Sequence, residues 1–500
     1  MQVHDTQATE MLDAYRAGAA LFRGGFVAVP KVALAQASGD FIELVRDRFT
    51  LHEIGDWAML VAPDTPVLHH AAQGTDVLVL GDVFDNDGGS VQARLDEIAR
   101  TKDLPATLAR MDLGGRHGAL IFRDGDVSAF NDPAGSRSVV FCTQDRKGIA
   151  SHPELLAMIY DIPTAQDAAT YMASPQYLNR IVRYLPGNRT AFDGIDRLLP
   201  NTLYATAENR MTRFWPYQER VEGTEEQMWD RFDMALDATR TYVAARFHPI
   251  VAVTGGIDTR SIVANFHRRQ TPFTGVTWTN FNFKSAEREA IDRIVEVTGQ
   301  PHYTITMPRE DNAGPLLDLG SMNAGRIHMR GSRGVMMALC LEKMEQTAPL
   351  PAPPCFVMGY GGEILRGFHM MKTRDQDLPF IPKTMMEMFG VRGKDGKANK
   401  DMSAFIIRSF RAMYTNGHYA SEDLHGYHPA DLFYWEHRVG MWAALTMETI
   451  DPVMHSLIGI NSRRLYEAGL NLPNRLRFSK GTIGRYIADR TPEIGEIPVV

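Results

Sequence analysis

The sequence predicts an α/β protein made of two unlike parts, and three observations predict it. Up to about residue 215, short apolar runs bounded by Gly, Asp or Pro indicate stacked antiparallel sheets flanked by helices. Beyond Thr224 the apolar spacing becomes helical, and strands then alternate with helices as in a parallel sheet covered on both faces. The last third of the chain is mostly helical in pattern. We therefore expect domains at 1–215 and 216–500.

The first part alternates strand and helix signals. Its clearest strands are Trp57–Val61, Val77–Leu80 and Ala119–Phe122, and its clearest helices are Gln92–Thr101 and Ala165–Met172. The Asp-Gly pair at 124–125 predicts a tight hairpin, because Gly readily takes the positive φ that such turns need.

The second part opens with a helix that begins after Thr224. The elements that follow are the strand His248–Val253, the helix Arg260–Arg269, the strand Phe273–Trp278, the helix Ala286–Thr298 and the strand His302–Met307. The glycine- and lysine-rich stretch Val391–Lys400 indicates a loop.

Composition excludes several classes of protein. The hydrophobic fraction of 44% and the charged fraction of 23% are those of an ordinary globular protein. The net charge is −7 and no large basic patch is present, so we expect no nucleic-acid partner. The apolar stretch Ala17–Ala35 is interrupted by Arg23 and Lys31 well short of a membrane span, and the polar start is unlike a signal peptide. We expect no membrane partner.

The chain has three cysteines: Cys142, Cys340 and Cys355. The number is odd and no two of them form a C-x-x-C pair, so neither a disulfide framework nor a structural zinc site is expected. This cysteine usage favours a cytoplasmic location.

The most informative stretch runs from Val251 to Ser261 and reads Val-Ala-Val-Thr-Gly-Gly-Ile-Asp-Thr-Arg-Ser. A strand, a glycine turn and a helix N-terminus direct backbone N–H groups and a helix dipole toward a phosphate. The stretch lacks the Lys that follows the last glycine of a Walker A motif. It points to nucleotide chemistry of another kind.

The segment Thr254-Gly-Gly-Ile-Asp-Thr259 resembles the S-G-G-x-D-S pyrophosphate loop of ATP pyrophosphatases. Two later segments resemble those of asparagine-synthetase-type ligases. Val357–Phe368 resembles their G-x-G-x-D-E-L-F-G-G-Y segment, and Glu448–Pro452 resembles their E-x-R-x-P-F segment. Lys480 follows the closing pattern of the family.

The N-terminal half carries further resemblances to this ligase superfamily. Asp132–Arg137 and Gly81–Asn86 resemble turns of its glutaminase-like domain, and Arg213–Pro216 resembles the junction between its domains. The resemblance implies an N-terminal glutaminase-like (Ntn) αββα sandwich. It also implies a C-terminal ATP-pyrophosphatase-type parallel α/β domain with a helical C-terminal part.

Departures from the family pattern bear on the reaction. Glutamine-dependent members carry a nucleophilic cysteine at position 2, where this chain has Gln2. The loss resembles β-lactam and carbapenam synthetases and lasso-peptide cyclases, in which the amine belongs to the substrate. The acidic pair of the second motif is reduced to Glu363, followed by Ile364.

The resemblance implies ATP and Mg²⁺ as cofactors. The predicted nucleotide-binding residues are Val253, Thr254, Gly255, Gly256, Asp258, Thr259, Trp278 and Gly361. Because Asp258 would repel a phosphate directly, we expect it to hold Mg²⁺, with Glu363 as the second ligand. An N-cap of the following helix is the structural alternative for Asp258.

Three residues are the predicted catalytic groups. Lys480 would stabilise charge near the α-phosphate and the reacting carbonyl. Glu448, with Tyr434, would orient or deprotonate the attacking amine. The structural alternatives are a surface lysine and a buried structural glutamate.

The leading hypothesis is a ligase that adenylates a substrate carboxylate and forms an amide or lactam without glutamine, releasing AMP and pyrophosphate. Its substrate would be a small molecule or peptide with a carboxylate and an amine. The alternatives are asparagine-synthetase-like amidation with free ammonia and a catalytically degenerate homologue that serves as a binding or assembly subunit. A homodimer and a complex with pathway proteins are left open.

Overall fold

The computed structural model describes most of the chain. The described residues are 20–37, 39, 42, 45, 47–180, 183–279, 284–306, 315–327, 333–347, 349–373, 380–390, 400–478 and 481–500. Gln2, Lys480 and most of the predicted loop Val391–Lys400 lie outside them.

Two six-stranded sheets form the first part, and all neighbouring strands in them pair antiparallel. The strands are β1 (Phe26–Pro30), β2 (Thr50–Ile54), β3 (Trp57–Val61), β4 (Val67–Ala72), β5 (Thr75–Asp85), β6 (Leu113–Arg123), β7 (Asp126–Asn131), β8 (Val140–Cys142), β9 (Ile149–Ala150), β10 (Ile195–Arg197), β11 (Thr202–Ala205) and β12 (Arg210–Arg213). One sheet has the order β10-β8-β9-β1-β3-β2 and the other β12-β11-β7-β6-β5-β4.

The two antiparallel sheets pack face to face. Phe141 of the first stacks on Tyr204 of the second with ring centroids 4.0 Å apart. Gly118, on β6 of the second sheet, lets the Phe26 ring of the first sheet pack close to the β6 backbone, because a Cβ at Gly118 would lie 3.0 Å from that ring. Helices Val91–Arg100 and Pro153–Tyr160 cover the two outer faces. The predicted antiparallel sheets and the Asp124-Gly125 hairpin are confirmed.

A five-stranded parallel sheet forms the second part, as predicted. Its strands are β13 (His248–Ala252), β14 (Thr274–Thr279), β15 (His302–Thr306), β16 (Pro354–Met358) and β17 (His455–Ile458). The order is β15-β14-β13-β16-β17, which places β13 at the centre. Because parallel strands share one direction, the carboxyl ends of β14, β13 and β16 meet at one edge.

Helices connect and cover the strands. They are Lys31–Gln36, Val91–Arg100, Leu104–Arg110, Pro153–Tyr160, Gln166–Met172, Pro175–Leu178, Glu225–Ala244, Ile257–Arg268, Ser285–Thr298, Pro315–Asn323, Arg333–Glu345, Gly362–Leu365, Phe368–Thr373, Pro382–Phe389, Lys400–Asn416, Pro429–Phe433, Ala444–Ile450, Arg463–Asn471, Asn474–Arg477, Gly481–Arg490 and Pro492–Gly495, with a 3₁₀ turn at Ser421–Asp423 and a π-helix at Tyr434–Ala443. Within the described residues, none of these helices is both long and apolar enough to cross a bilayer.

Buried ion pairs join the antiparallel part to the parallel part. Arg116 on β6 donates from both terminal nitrogens to Asp451, and both side chains are buried. Burial opposes the charge of Asp451, but Arg116 and Arg137 outweigh it and hold the pKa of Asp451 below its usual value. The contact region between the two parts, which we call the seam, is therefore charged. Its stability requires that each buried charge keeps a partner of opposite charge.

Replacing Arg116 with Met should lower the free energy of unfolding by about 3 kcal/mol, because the Asp451 carboxylate would stay buried and keep only its longer ion pair, to Arg137 at 3.5 Å, among the described residues. The midpoint of urea denaturation measures the change. Arg100→Met is the control, since it removes only an exposed pair with Asp96 and should cost less than about 1 kcal/mol. Equal shifts for the two variants would contradict the importance of the seam.

Candidate functional site

The motif Thr254–Thr259 lies at the carboxyl edge of the parallel sheet, directly after the central strand β13. The strand residues are buried, whereas Thr254, Gly256, Asp258 and Thr259 are partly exposed. Ligands of open α/β sheets bind at this edge of the sheet. The motif therefore stands where a ligand can reach it.

Hydroxyl groups fix the shape of the loop. The Thr254 and Thr259 hydroxyl oxygens lie 2.6 Å apart, and the Gly256 N–H donates to the Thr254 oxygen at 3.1 Å. Helix Ile257–Arg268 follows, and its N-cap, Gly256, provides no capping side chain. The N–H groups of the first turn and the positive end of the dipole are therefore available to an anion.

The segment after β16 packs directly on this loop. A Cβ at Gly359 would lie 2.9 Å from the Thr259 nitrogen, and a Cβ at Gly362 would overlap the Asp258 carboxylate. Gly361 has φ +101°, a conformation that favours glycine. These glycines let the second motif approach the first.

Asp258 lies within the first helical turn, and its carboxylate contacts a basic side chain of the second motif. Arg366 Nη2 donates to Asp258 Oδ2 at 2.7 Å, and Arg366 Nε donates to the Gly362 carbonyl at 3.3 Å. Both side chains are largely buried, with 12% of Arg366 and 21% of Asp258 exposed. Because the N-cap is Gly256, the N-cap alternative for Asp258 does not apply.

One of the two predicted magnesium ligands, Asp258, has a guanidinium as its neighbour. Asp258 already contacts a cation, and a guanidinium beside a carboxylate repels a divalent ion. Within the described part of the chain, no three Asp, Glu, His or Cys side chains are grouped so that they could hold a metal ion. Glu363 is partly exposed in the short helix Gly362–Leu365, beside the buried Ile364.

Tyr434 begins a π-helix on the side of the site that faces Glu363. Its ring lies 5.0 Å from Phe368 and 5.0 Å from His369, and the residue is buried. Burial raises the pKa of Tyr434 well above its usual value, and the Glu363 carboxylate adds to the rise. Tyr434 is thus a neutral hydroxyl.

Val253 and Trp278, two of the predicted nucleotide-binding residues, lie near the carboxyl ends of neighbouring strands: Val253 directly follows β13, and Trp278 is in β14. The Val253 N–H donates to the Val276 carbonyl at 2.8 Å, and the Val253 carbonyl accepts from the Thr277 hydroxyl at 2.6 Å. Trp278 is partly exposed near the end of β14, with its ring edge-on to Phe356. The backbone of Val253 is thus fixed to the neighbouring strand, and Trp278 lies toward the same edge of the sheet.

Glu448 lies at the seam between the two parts. Only 1% of the residue is exposed, Arg197 Nη1 lies 3.4 Å from its carboxylate, and the Asn323 amide donates to its backbone carbonyl. Burial raises the pKa of Glu448, whereas Arg197 opposes the rise. These contacts suit a structural glutamate, and its catalytic role stays a prediction. Lys480, the predicted cation, lies outside the described residues.

The segment 497–500 packs against the loop. Val500 N–H donates to the Gly255 carbonyl at 3.1 Å. Arg260, 1% exposed, donates to that carbonyl at 3.2 Å, to the Pro498 carbonyl at 2.9 Å and to the Ile497 carbonyl. The carbonyl side of the loop is therefore tied down, which leaves its N–H side for a ligand.

Sequence reasoning did not assign a role to Arg260 or Arg366. The sequence does offer a signal for Arg366. Apart from Glu363, Arg366 is the only charged residue in the segment Gly361–Gly367, whose other residues are small or apolar. The signal for Arg260 was an arginine on the helix face that carries Ile257 and Ala264, where a charge must find buried acceptors.

The cysteines do not supply a glutaminase nucleophile in the described structure. Cys142, Cys340 and Cys355 are buried, and burial raises the pKa of Cys142 and Cys340 to about 12. Thiols with so high a pKa are poor nucleophiles at neutral pH. Gln2 lies outside the described residues.

Comparisons with known proteins give distant structural similarities only. No family model and no curated protein matches the chain. A solved structure of the allosteric regulatory enzyme of purine biosynthesis is 9% identical and has a TM-score of 0.23, with 57% of this chain and 74% of that chain covered. NMN synthetase from Francisella tularensis is 14% identical with a TM-score of 0.22, and 43% of this chain covers 94% of that chain.

Glutamine phosphoribosylpyrophosphate amidotransferase from B. subtilis, complexed with ADP and GMP, is 12% identical with a TM-score of 0.22, and 73% of each chain is covered. TM-scores this low do not demonstrate a shared fold. The similarities therefore say nothing about what this chain binds.

Gly362→Ala should destabilise the protein by about 1–3 kcal/mol, because the new Cβ overlaps the Asp258 carboxylate. Gly484→Ala is the matched control. Gly484 lies inside the helix Gly481–Arg490, and a Cβ there would meet only the Ile257 side chain, at 3.9 Å. That change should be neutral or stabilising by up to about 1 kcal/mol. Urea denaturation compares the two, and destabilisation by Gly484→Ala equal to that by Gly362→Ala would contradict the close approach.

Proposed function

We propose that this chain is an ATP-dependent ligase that adenylates a substrate carboxylate and joins it to an amine as an amide or lactam. The observation that carries the proposal is the loop Thr254–Thr259 at the carboxyl end of the central parallel strand, with an uncapped helix N-terminus after it. The partly exposed Trp278 at the neighbouring strand end adds a surface for a base.

In the first step, the substrate carboxylate attacks the α-phosphorus of ATP, which gives an acyl-adenylate and releases pyrophosphate. The N–H groups of the loop and the helix dipole hold the phosphates and stabilise the charge that develops on the leaving pyrophosphate. The Thr254 and Thr259 hydroxyls fix the loop in this shape. No step is assigned to a metal ion held by the protein, because Asp258 contacts Arg366.

In the second step, the amine attacks the acyl carbon and AMP leaves. Lys480 stabilises the charge on the tetrahedral intermediate and on the departing phosphate. Glu448 accepts the proton that the amine loses, with Tyr434 as a neutral donor that orients the reacting groups. The substrate is a small molecule or peptide that carries both a carboxylate and an amine.

The amine comes with the substrate because the chain offers no activated thiol for glutamine hydrolysis. Gln2 stands where the resemblance places a cysteine, and the three cysteines are buried. The antiparallel part then acts as a scaffold that supports the parallel part through the ion pairs at the seam.

A second candidate is a non-catalytic subunit that binds a nucleotide or a partner. The Asp258–Arg366 pair and the reduction of the acidic pair to Glu363 favour it, since both remove negative charge from the place where a metal would be held. Turnover distinguishes the two candidates.

ATP–[³²P]pyrophosphate exchange with a panel of carboxylates carrying an amine tests the ligase. We expect exchange with at least one of them, and Lys480→Ala should reduce it by about 10²-fold or more, because a cation at the transferred phosphate is lost. Lys147→Ala, which removes an exposed pair with Asp126, should not alter it. ATP binding without exchange on any substrate would favour the non-catalytic subunit, and absence of both would sink the proposal.

Glu448→Gln separates a catalytic role from a structural one. If Glu448 accepts the proton of the amine, the variant should retain pyrophosphate exchange but form the amide about 10²-fold more slowly. A structural role predicts instead a loss of stability, because Arg197 would lose its partner, and equal effects on both steps. Single-turnover amide formation and urea denaturation give the two readouts.

A further inference from the structure

The second motif brings a fixed cation to the phosphate loop. Arg366 contacts Asp258 at 2.7 Å, although the two residues are 108 positions apart in the chain. The helix Gly362–Leu365 carries Arg366 immediately after its last residue, and Gly362 gives the room that the Asp258 carboxylate needs. The contact thus follows from the packing of the two motifs at one sheet edge.

The guanidinium retains donors for a second anion. Nη2 donates to Asp258 and Nε to the Gly362 carbonyl, and no hydrogen bond of Nη1 is found within the described structure. A guanidinium is planar and always charged, and its donors suit phosphate oxygens. With 12% of the side chain exposed, Arg366 is held in place and remains partly accessible.

We propose that Arg366 is a phosphate-binding residue that takes the position of a divalent cation at Asp258. This proposal rests on the proposed function, in which the loop binds the phosphates of ATP. Asp258 then orients Arg366 and does not coordinate a metal ion. Nucleotide binding at the loop therefore needs no metal held by the protein.

Charge at the site supports this assignment. In nucleotide sites Mg²⁺ is held by one or two carboxylates together with phosphates, whereas the Asp258 carboxylate contacts a guanidinium and Ile364 follows Glu363. A phosphate beside Asp258 alone would be repelled. Arg366 cancels that repulsion, and the helix N-terminus adds partial positive charge.

The experiment measures ATP binding calorimetrically with excess Mg²⁺ and again with EDTA. Wild-type protein should bind ATP with dissociation constants that agree within about threefold in the two conditions. Arg366→Met should weaken binding in EDTA on the order of tenfold or more, because a guanidinium at the phosphates is lost. Arg269→Met is the control. It removes the Arg269–Asp237 pair at the carboxyl end of the helix Ile257–Arg268, away from Asp258 in the first turn, and should change neither dissociation constant.

Asp258→Asn gives a second test that does not depend on the stability of the Arg366 variant. If Arg366 is the cation, Asp258→Asn should bind ATP in EDTA at least as tightly as wild type, because one negative charge has gone while the new amide oxygen can still accept from Arg366. If Asp258 is a metal ligand, the same variant should lose binding in Mg²⁺. Mn²⁺ binding without nucleotide, followed by electron paramagnetic resonance, should be absent in wild type.

The outcomes separate the two proposals. Wild-type binding that requires Mg²⁺ and is lost in Asp258→Asn overturns the role of Arg366 and leaves the ATP site standing. Stoichiometric Mn²⁺ binding by nucleotide-free wild type also overturns it. No ATP binding in either condition overturns the proposed function itself, whatever the Mn²⁺ result.

Discussion

Parallel pairing of β13 with β16 is the constraint on which the site depends. The register that sets Val251 opposite Val357 makes both strands end at the same edge, so the two glycine motifs must leave the sheet side by side. Their contact requires small residues, and Gly359 and Gly362 occupy the two places where a side chain would collide. Every later feature of the site, including the Asp258–Arg366 pair, depends on that approach.

Two kinds of arginine–carboxylate pair serve different ends in this molecule. Arg116 with Asp451 is sealed between the antiparallel and parallel parts, where it cannot meet a ligand and can only fix how the parts join. Arg366 with Asp258 is partly exposed. The difference in exposure, rather than the chemistry of the groups, distinguishes a structural pair from one that can exchange partners.

Local pattern was sufficient to predict the sheets but not the contacts between distant segments. Alternation of strand and helix predicted the parallel sheet, and Asp124-Gly125 predicted the hairpin. The helix after the loop begins at Ile257, not at Arg260, because the glycine before it ends the strand without a capping side chain to mark the start. The pairing of Glu448 with Arg197 joins residues 251 positions apart, and no periodicity encodes it.

The hydrogen bonds from Val500 and Arg260 to the Gly255 carbonyl have a consequence for the order of events during synthesis. The loop is synthesised well before positions 497–500, whose backbone supplies one of the hydrogen bonds that tie down its carbonyl side. A nascent chain can build the antiparallel sheets before residues 497–500 are made, whereas the carbonyl side of the phosphate loop gains its contact with Val500 later. The scaffold can therefore form before the ligand site is complete.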